Sequence, residues 1–304
     1  MPPHRDADAA PFATGVLNLD KPAGETSFSA VNRLRRLTGA RRVGHAGTLD
    51  PLATGVLPVL FESATRLAEY AHALPKTYVA DIVLGFVTDT DDAEAPERSA
   101  GDPSSITGTE VESALAGFVG RVPQRPPAYS AVKVDGTRAY RLARGGEPAR
   151  PAPREVDIYS AGLLDFEQGL RATARVEVTC GSGTYLRSIA RDLGEVLGIG
   201  GYLGRLVRVA YGPLSIDMAV RFDVLADAEA VREKLLPAEV ILPEMEQVRL
   251  NVEQLAQVRQ GRSVRVFPEP RPGRLRAHDA SGRLVALGHT DALRRTFVPE
   301  KVLT

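Results

Sequence analysis

Apolar residues along the chain change period several times, and each change marks an element. Residues 15–20, GVLNLD, make a short apolar run that reads as a strand, closed by the turn-forming KPAG. Thr26 or Ser27 then stands where a helix needs a cap, and Phe28, Val31, Leu34 and Leu37 recur at helical spacing up to Gly39. Beyond a glycine-rich stretch, VLPVLF reads as a strand of buried type, ATRLAEYAHAL as a second helix and KTYVADIVLG as an alternating strand. Thr109 and Glu112 have the spacing of a capping box for EVESALAGFVG. Two strands fill residues 155–180, and TYLRSIARDLGEVLG is amphipathic, with Leu186, Ile189, Leu193 and Val196 or Leu197 inward. A strand through YLGRLVRVAYG and an acidic helix near residues 223–236 follow. Pro243 marks a candidate boundary, and from about residue 248 a small strand-leaning module remains. Strands and helices are interspersed without regular alternation, which predicts an α+β fold rather than a doubly wound parallel sheet.

The segment 121–154 breaks this pattern: it is rich in proline and arginine and weakly periodic, and reads as a long surface insertion of the kind that carries function. Charge sharpens the point. The formal net charge is zero, but residues 33–42 carry five arginines and no acid, and residues 121–150 carry seven basic residues against Asp135 and Glu147. Residues 259–276 carry six arginines against Glu269, while acids collect in 89–102 and 223–246. Such segregation either assembles a positive face for a polyanion or leaves unrelated solvated loops. Other classes recede. No apolar run is long enough to span a bilayer, and residues 1–14 read as a disordered lead-in with no signal-peptide core. One cysteine, Cys180, permits no intrachain disulfide and fits a reducing cytoplasm; zinc-type spacing is absent. No phosphate-binding P-loop, dinucleotide fingerprint or nucleophile elbow occurs.

Three stretches hold candidate chemistry. In GHAGTLDPLATGVLPV, residues 44–59, Pro51 biases Asp50 towards an extended backbone, Gly44 and Gly47 permit close approach, and His45 offers a flat ring. On its own the stretch reads first as an Asp-Pro turn with a surface histidine. In GSGTYLRSIARD, residues 181–192, Tyr185 and Arg187 open a helix, where an arginine can pair with a carboxylate and hold it ionised; a plain glycine-rich connection has the same look. In KTYVADIVLG, Tyr78 opens a strand and either offers its ring to a base or fills the core. The following Asp89, Asp91 and Asp92 lack the glycine and terminal glutamate of a calcium loop.

Taken in order, GVLNLDKPAGETS, RRVGHAGTLDPLATGVLPV, KTYVADIVLGFVTDTDDAEA, PPAYSAVKVDGTRAYRLARGGE and VTCGSGTYLRSIARDLGEVLG resemble the successive motifs of the TruB-type tRNA pseudouridine-55 synthases, over about residues 15–215. The resemblance implies a pseudouridine-synthase core at 15–245, with a mixed, largely antiparallel central sheet flanked by helices. It implies that 121–154 is a thumb-like element clamping the T-arm of tRNA, with Arg125, Lys133, Arg138, Arg141 and Arg144 on phosphates. Asp50 matches the catalytic aspartate, Tyr78 the tyrosine that stacks on the flipped uridine, and Arg187 the arginine that pairs with the acid. Tyr185 matches a pocket tyrosine, His45 the histidine that splays the loop nucleotides, Leu206 an apolar pocket residue and Asp92 a supporting acid. It further implies a monomer acting on tRNA in the cytoplasm, with no cofactor, no metal, no guide RNA and no obligatory protein partner. The chain departs from the pattern at its end: residues 248–304 are short for the family's usual C-terminal PUA domain and suggest a reduced β unit with a hairpin at Ser281-Gly282. Two rivals stay open: a non-catalytic RNA-binding protein or tRNA-folding chaperone on the same scaffold, and a glycosidase, for which Asp50 lacks a clear partner acid.

Overall fold

The computed structural model describes residues 12–130, 132–134, 137–138, 151–267, 270–291 and 295–303. Its strands are, in chain order, β1 (Gly15–Lys21), β2 (Val43–His45), β3 (Thr54–Phe61), β4 (Lys76–Leu84), β5 (Phe86–Val87), β6 (Arg98–Ser99) and β7 (Gly120–Gln124). They continue through β8 (Lys133–Val134), β9 (Thr137–Arg138), β10 (Arg154–Glu167), β11 (Ala172–Cys180), β12 (Gly201–Tyr211) and β13 (Leu214–Ser215). The α-helices up to this point are α1 (Ser27–Thr38), α2 (Ala68–Ala73), α3 (Gly108–Ala116) and α4 (Leu186–Val196).

One nine-stranded sheet runs β1-β3-β12-β4-β11-β10-β7, with β2 beside β3 and β13 beside β12. Every pairing in it is antiparallel except the short parallel contact of β12 with β3. The sheet is therefore mixed and largely antiparallel, as the family resemblance implies. Both faces of β3 are covered, which explains its unbroken apolar run: Leu57, Val59 and Phe61 join one core, Val56 and Leu60 another. The parallel contact needs Gly55, since a Cβ there would lie 2.3 Å from the Arg208 carbonyl oxygen and φ is +98°.

Local signals decide most boundaries. Thr26 caps α1 by accepting from the Ser29 amide, and Gly39 closes it in the left-handed region. The ATRLAEYAHAL helix is a 3-10 turn over Glu62–Leu67 followed by the short α2. The capping box of α3 uses Thr107 and Glu110 rather than Thr109 and Glu112: the same spacing two residues earlier leaves Val111 and Leu115 inward. In α4 Leu197, not Val196, turns to the core; Val196 is exposed. Of the segment 121–154, residues up to Gln124 belong to the sheet as its edge strand β7, and β8 pairs antiparallel with β9 over two residues each. Arg141 and Arg144 lie outside the described residues, as does the lead-in up to Pro11; Phe12 is buried with its ring 5.2 Å from that of Phe61.

The acidic stretch 223–236 holds the end of a 3-10 turn (Phe222–Val224) and the short helix α5 (Ala228–Glu233), capped by Asp227. The C-terminal module is a five-stranded sheet of β14 (Glu246–Arg249), β15 (Val264–Arg265), β16 (Arg274–His278), β17 (Leu284–Asp291) and β18 (Thr296–Val302), with α6 (Val252–Arg259). The β16–β17 hairpin turns through Ser281-Gly282, where Gly282 has φ +82°. Leu287 and Leu303 join the core that also holds Leu67, Ala71 and Tyr211, and Lys301 donates to the Arg66 carbonyl at 2.7 Å and pairs with Glu69. No helix among the described residues is long and apolar enough to cross a membrane.

Candidate active site

Asp50 follows β2 in a loop held from several sides. The Ser27 hydroxyl at the start of α1 donates to the Leu49 carbonyl and accepts from the Leu49 amide, at 3.1 and 2.9 Å. The Gly24 amide donates to the Pro51 carbonyl at 2.8 Å, and the buried Lys21 ammonium reaches the same oxygen at 3.4 Å. The sequence turn KPAG and the helix cap thus serve a second purpose, fixing the backbone on both sides of the acid. Burial pushes the Lys21 ammonium down to about 8.

Arg187, in the first turn of α4, meets that acid. Its side chain is 7% exposed, with one nitrogen 3.0 Å from the Asp50 carboxylate, whose side chain remains 35% exposed and so open to a cavity. The other terminal nitrogen lies 3.4 Å from Asp92, which is buried, and donates to the Thr90 carbonyl at 3.3 Å. Asp92 is itself fixed: it accepts from the Thr90 hydroxyl at 2.6 Å and from the Glu94 amide at 3.0 Å. The neighbouring Asp91 holds φ at +60°, an unfavourable backbone retained by its ion pair with Arg191 at 2.9 Å and by its carbonyl, which accepts from the Leu203 amide. The aspartate-rich loop is thus a support for the arginine.

The cavity in front of Asp50 has a volume of about 490 Å³. Tyr78, Tyr185, Arg187 and Leu206 line it with Asp50, so residues that the sequence scatters between positions 50 and 206 meet on one wall. Asp50 is the one carboxylate among the described residues of that lining. Tyr185 is fixed by Gln124 of β7, which exchanges hydrogen bonds with its amide and carbonyl at 2.8 and 3.1 Å. Burial pushes the Tyr78 phenol up, while the nearby Arg208 charge and a hydrogen bond to it act in the opposite direction.

Two expected residues sit elsewhere. His45 ends β2, paired with Val59 and half-buried, and does not line the cavity; burial lowers its proton affinity, with Arg208 and His72 adding repulsion. The Arg125 guanidinium lies 3.5 Å from Glu195, while its carbonyl accepts from Ser188 and Arg191 of α4. Lys133 and Arg138 are placed only as a backbone pair of β8 with β9.

The cavity also holds residues that sequence reasoning missed. Lys76 is buried in the wall, donating to the His72 carbonyl and the Ser182 hydroxyl, both at 2.7 Å, and burial drives it down to about 8. Arg208 is 1% exposed and also lines the wall. A signal existed: Lys76 with Tyr78, and Leu206 with Arg208, are two-residue steps on strands and must share a face. Cys180 is free and buried, and burial pushes its thiol up to about 11.

Residues 35–186 match the TruB family pseudouridylate synthase N-terminal domain, and residues 187–247 the tRNA pseudouridylate synthase B C-terminal domain. A protein of Synechococcus sp. named tRNA pseudouridine synthase B is 42% identical over 279 residues, which is 90% of this chain and 93% of that protein. Proteins of the same name from Dehalococcoides mccartyi and Xanthomonas campestris pv. campestris are each 40% identical, covering 90% and 91% of this chain and 91% and 90% of theirs. Among solved structures, a chain in the crystal structure of a Cbf5-Nop10-Gar1 complex superposes with a TM-score of 0.71 at 25% identity, over 95% of this chain and 85% of that chain. Domain matches on both sides of Arg187, together with identity sustained over nine-tenths of its length, establish that this chain belongs to the TruB family of pseudouridylate synthases.

Proposed function

We propose that this enzyme converts uridine 55 in the TΨC loop of tRNA to pseudouridine, with the uridine flipped into the cavity and Asp50 as the catalytic residue. The relatives named tRNA pseudouridine synthase B support tRNA as the substrate. One observation carries the site: a single carboxylate on the cavity wall, clamped to a buried arginine and flanked by two tyrosines and a leucine. Reaching a base inside a folded RNA requires extruding it, and aromatic and apolar walls receive its faces. The reaction breaks N1–C1′, turns the uracil and forms C5–C1′; the proton leaves C5 and N1 gains one. The exchange is internal and redox-neutral, so a positioned carboxylate acting as nucleophile or base meets its demand without a cofactor. Arg187 aims that carboxylate and Asp92 aims Arg187. The second acid of a glycosidase is missing from the described lining, and Asp92 is occupied by Arg187.

The basic insertion supplies a hold on the T-arm, and we take the enzyme to work alone, as a monomer without guide RNA. The test is an unmodified T-arm transcript incubated with the protein and mapped for pseudouridine by mass spectrometry. Pseudouridine at the position equivalent to 55 is expected with the wild type, and none with Asp50→Asn, which keeps its fold and its RNA affinity. Full turnover by the Asn variant removes Asp50 from the chemistry. RNA bound and refolded without product makes the protein a chaperone instead.

A further inference from the structure

Arg208 is the largest of the fully buried side chains among the described residues, and its partners are unusual. No carboxylate lies within ion-pair distance of it among those residues. Burying a guanidinium without a carboxylate is costly unless its donors are satisfied. Here they go to backbone: Nε donates to the Val56 carbonyl at 2.7 Å and Nη2 to the Gly47 carbonyl at 2.9 Å. Gly47 precedes Asp50 by three residues in the same loop. The guanidinium also lies near two rings, with Cζ 5.0 Å from the centre of Tyr211 and 5.9 Å from that of Tyr78. Strand register enforces the second contact, because Arg208 of β12 sits directly opposite Tyr78 of β4. Tyr211 closes the circuit: a Cβ on Gly47 would meet its Cε2 at 2.6 Å, so the loop rests on that ring.

We infer that Arg208 is a positioning residue for the reaction, locking the Asp50 loop and the Tyr78 ring into one geometry through its two carbonyl bonds and two ring contacts. This rests on the proposed function, in which Asp50 and Tyr78 face the same nucleotide. Lysine cannot substitute. A single ammonium does not present a planar fork to two carbonyls while also meeting both rings, although it keeps the charge. The pair of groups that must act together is thus coupled by shape rather than by charge alone. Displacements of about 1 Å at a reacting centre cost on the order of a hundredfold in rate.

The experiment compares Arg208→Lys and Arg208→Gln with wild type, each carrying 3-fluorotyrosine at Tyr78, in three measurements. Affinity for an unmodified T-arm transcript should stay within about threefold, because Arg208 is covered by protein. The single-turnover rate should fall at least tenfold in both variants. The fluorine resonance of Tyr78, without RNA, should shift or broaden in both. Folded variants with a wild-type rate and an unchanged resonance overturn the inference, and so does an Arg208→Lys protein with full rate. If the Gln variant does not fold, the Lys variant decides alone. If wild type itself makes no pseudouridine, the functional reading fails, and the fluorine resonance still tests whether Arg208 fixes Tyr78.

Discussion

Lys76 shows how a single buried charge writes itself into the pH dependence of stability. Its folded value of about 8 lies below the ordinary 10.5, because burial disfavours the ammonium and Arg208 repels it. Between those values the unfolded chain binds more protons than the native one, so raising the pH through that window favours folding. Below about 8 both states are protonated and the burial cost is fully present. Cys180, raised to about 11, opposes this over an overlapping range, so wild type must be read against a variant. Wild-type stability minus that of Lys76→Met should rise between about pH 7.5 and pH 10 in urea unfolding, following the window that the lowered ammonium opens. A flat difference rules the assignment out. Asp50 is a second residue that its own stretch of sequence leaves ambiguous. Its loop is an ordinary Asp-Pro turn until Arg187 is placed 3.0 Å away.

At the scale of elements, the loop between β2 and β3 is shaped by what lies under it. Gly47 adopts φ +70° and rests on the Tyr211 ring, so both backbone and space forbid a side chain. Gly47→Ala should destabilise the protein by about 1–3 kcal/mol. Its single-turnover rate should also fall by roughly a hundredfold, because Asp50 is carried on the displaced loop. Urea unfolding and rapid-quench kinetics separate the two effects; a wild-type rate in the variant shows that the loop tolerates the shift. The helix α4 works in the same way. Its amphipathic pattern is plain in the sequence, yet Arg187 faces inward among apolar residues, and only the acids waiting there make that placement stable.

At the scale of the molecule, zero net charge conceals a basic insertion balanced by acidic stretches elsewhere in the chain. If Arg125, Lys133, Arg138, Arg141 and Arg144 hold phosphates, replacing all five with Gln weakens RNA binding. It should also lower the slope of log affinity against log salt by about 0.9 for each phosphate no longer neutralised. Filter binding at several salt concentrations measures it, and an unchanged slope moves the clamp elsewhere. Arg125 should contribute least to that slope, since Glu195 already faces it at 3.5 Å.

The sequence by itself determined the elements, because capping, turn chemistry and apolar period act between near neighbours. It read β1, α1, β4 and α4 to within about two residues at each end, and the ordered motifs drew attention to Asp50, Tyr78, Tyr185 and Arg187. Where it erred, as with the α3 cap, two equally spaced Thr–Glu pairs competed and inward packing of Val111 and Leu115 chose between them. Only the tertiary structure decided which residues share the cavity. The two-residue steps put Lys76 on the face of Tyr78 and Arg208 on that of Leu206, but the two pairs meet in one cavity because β12 lies beside β4 in a register that sets Arg208 opposite Tyr78. Strand register is a long-range pairing, fixed by the packing of the whole sheet, and no window of sequence contains it.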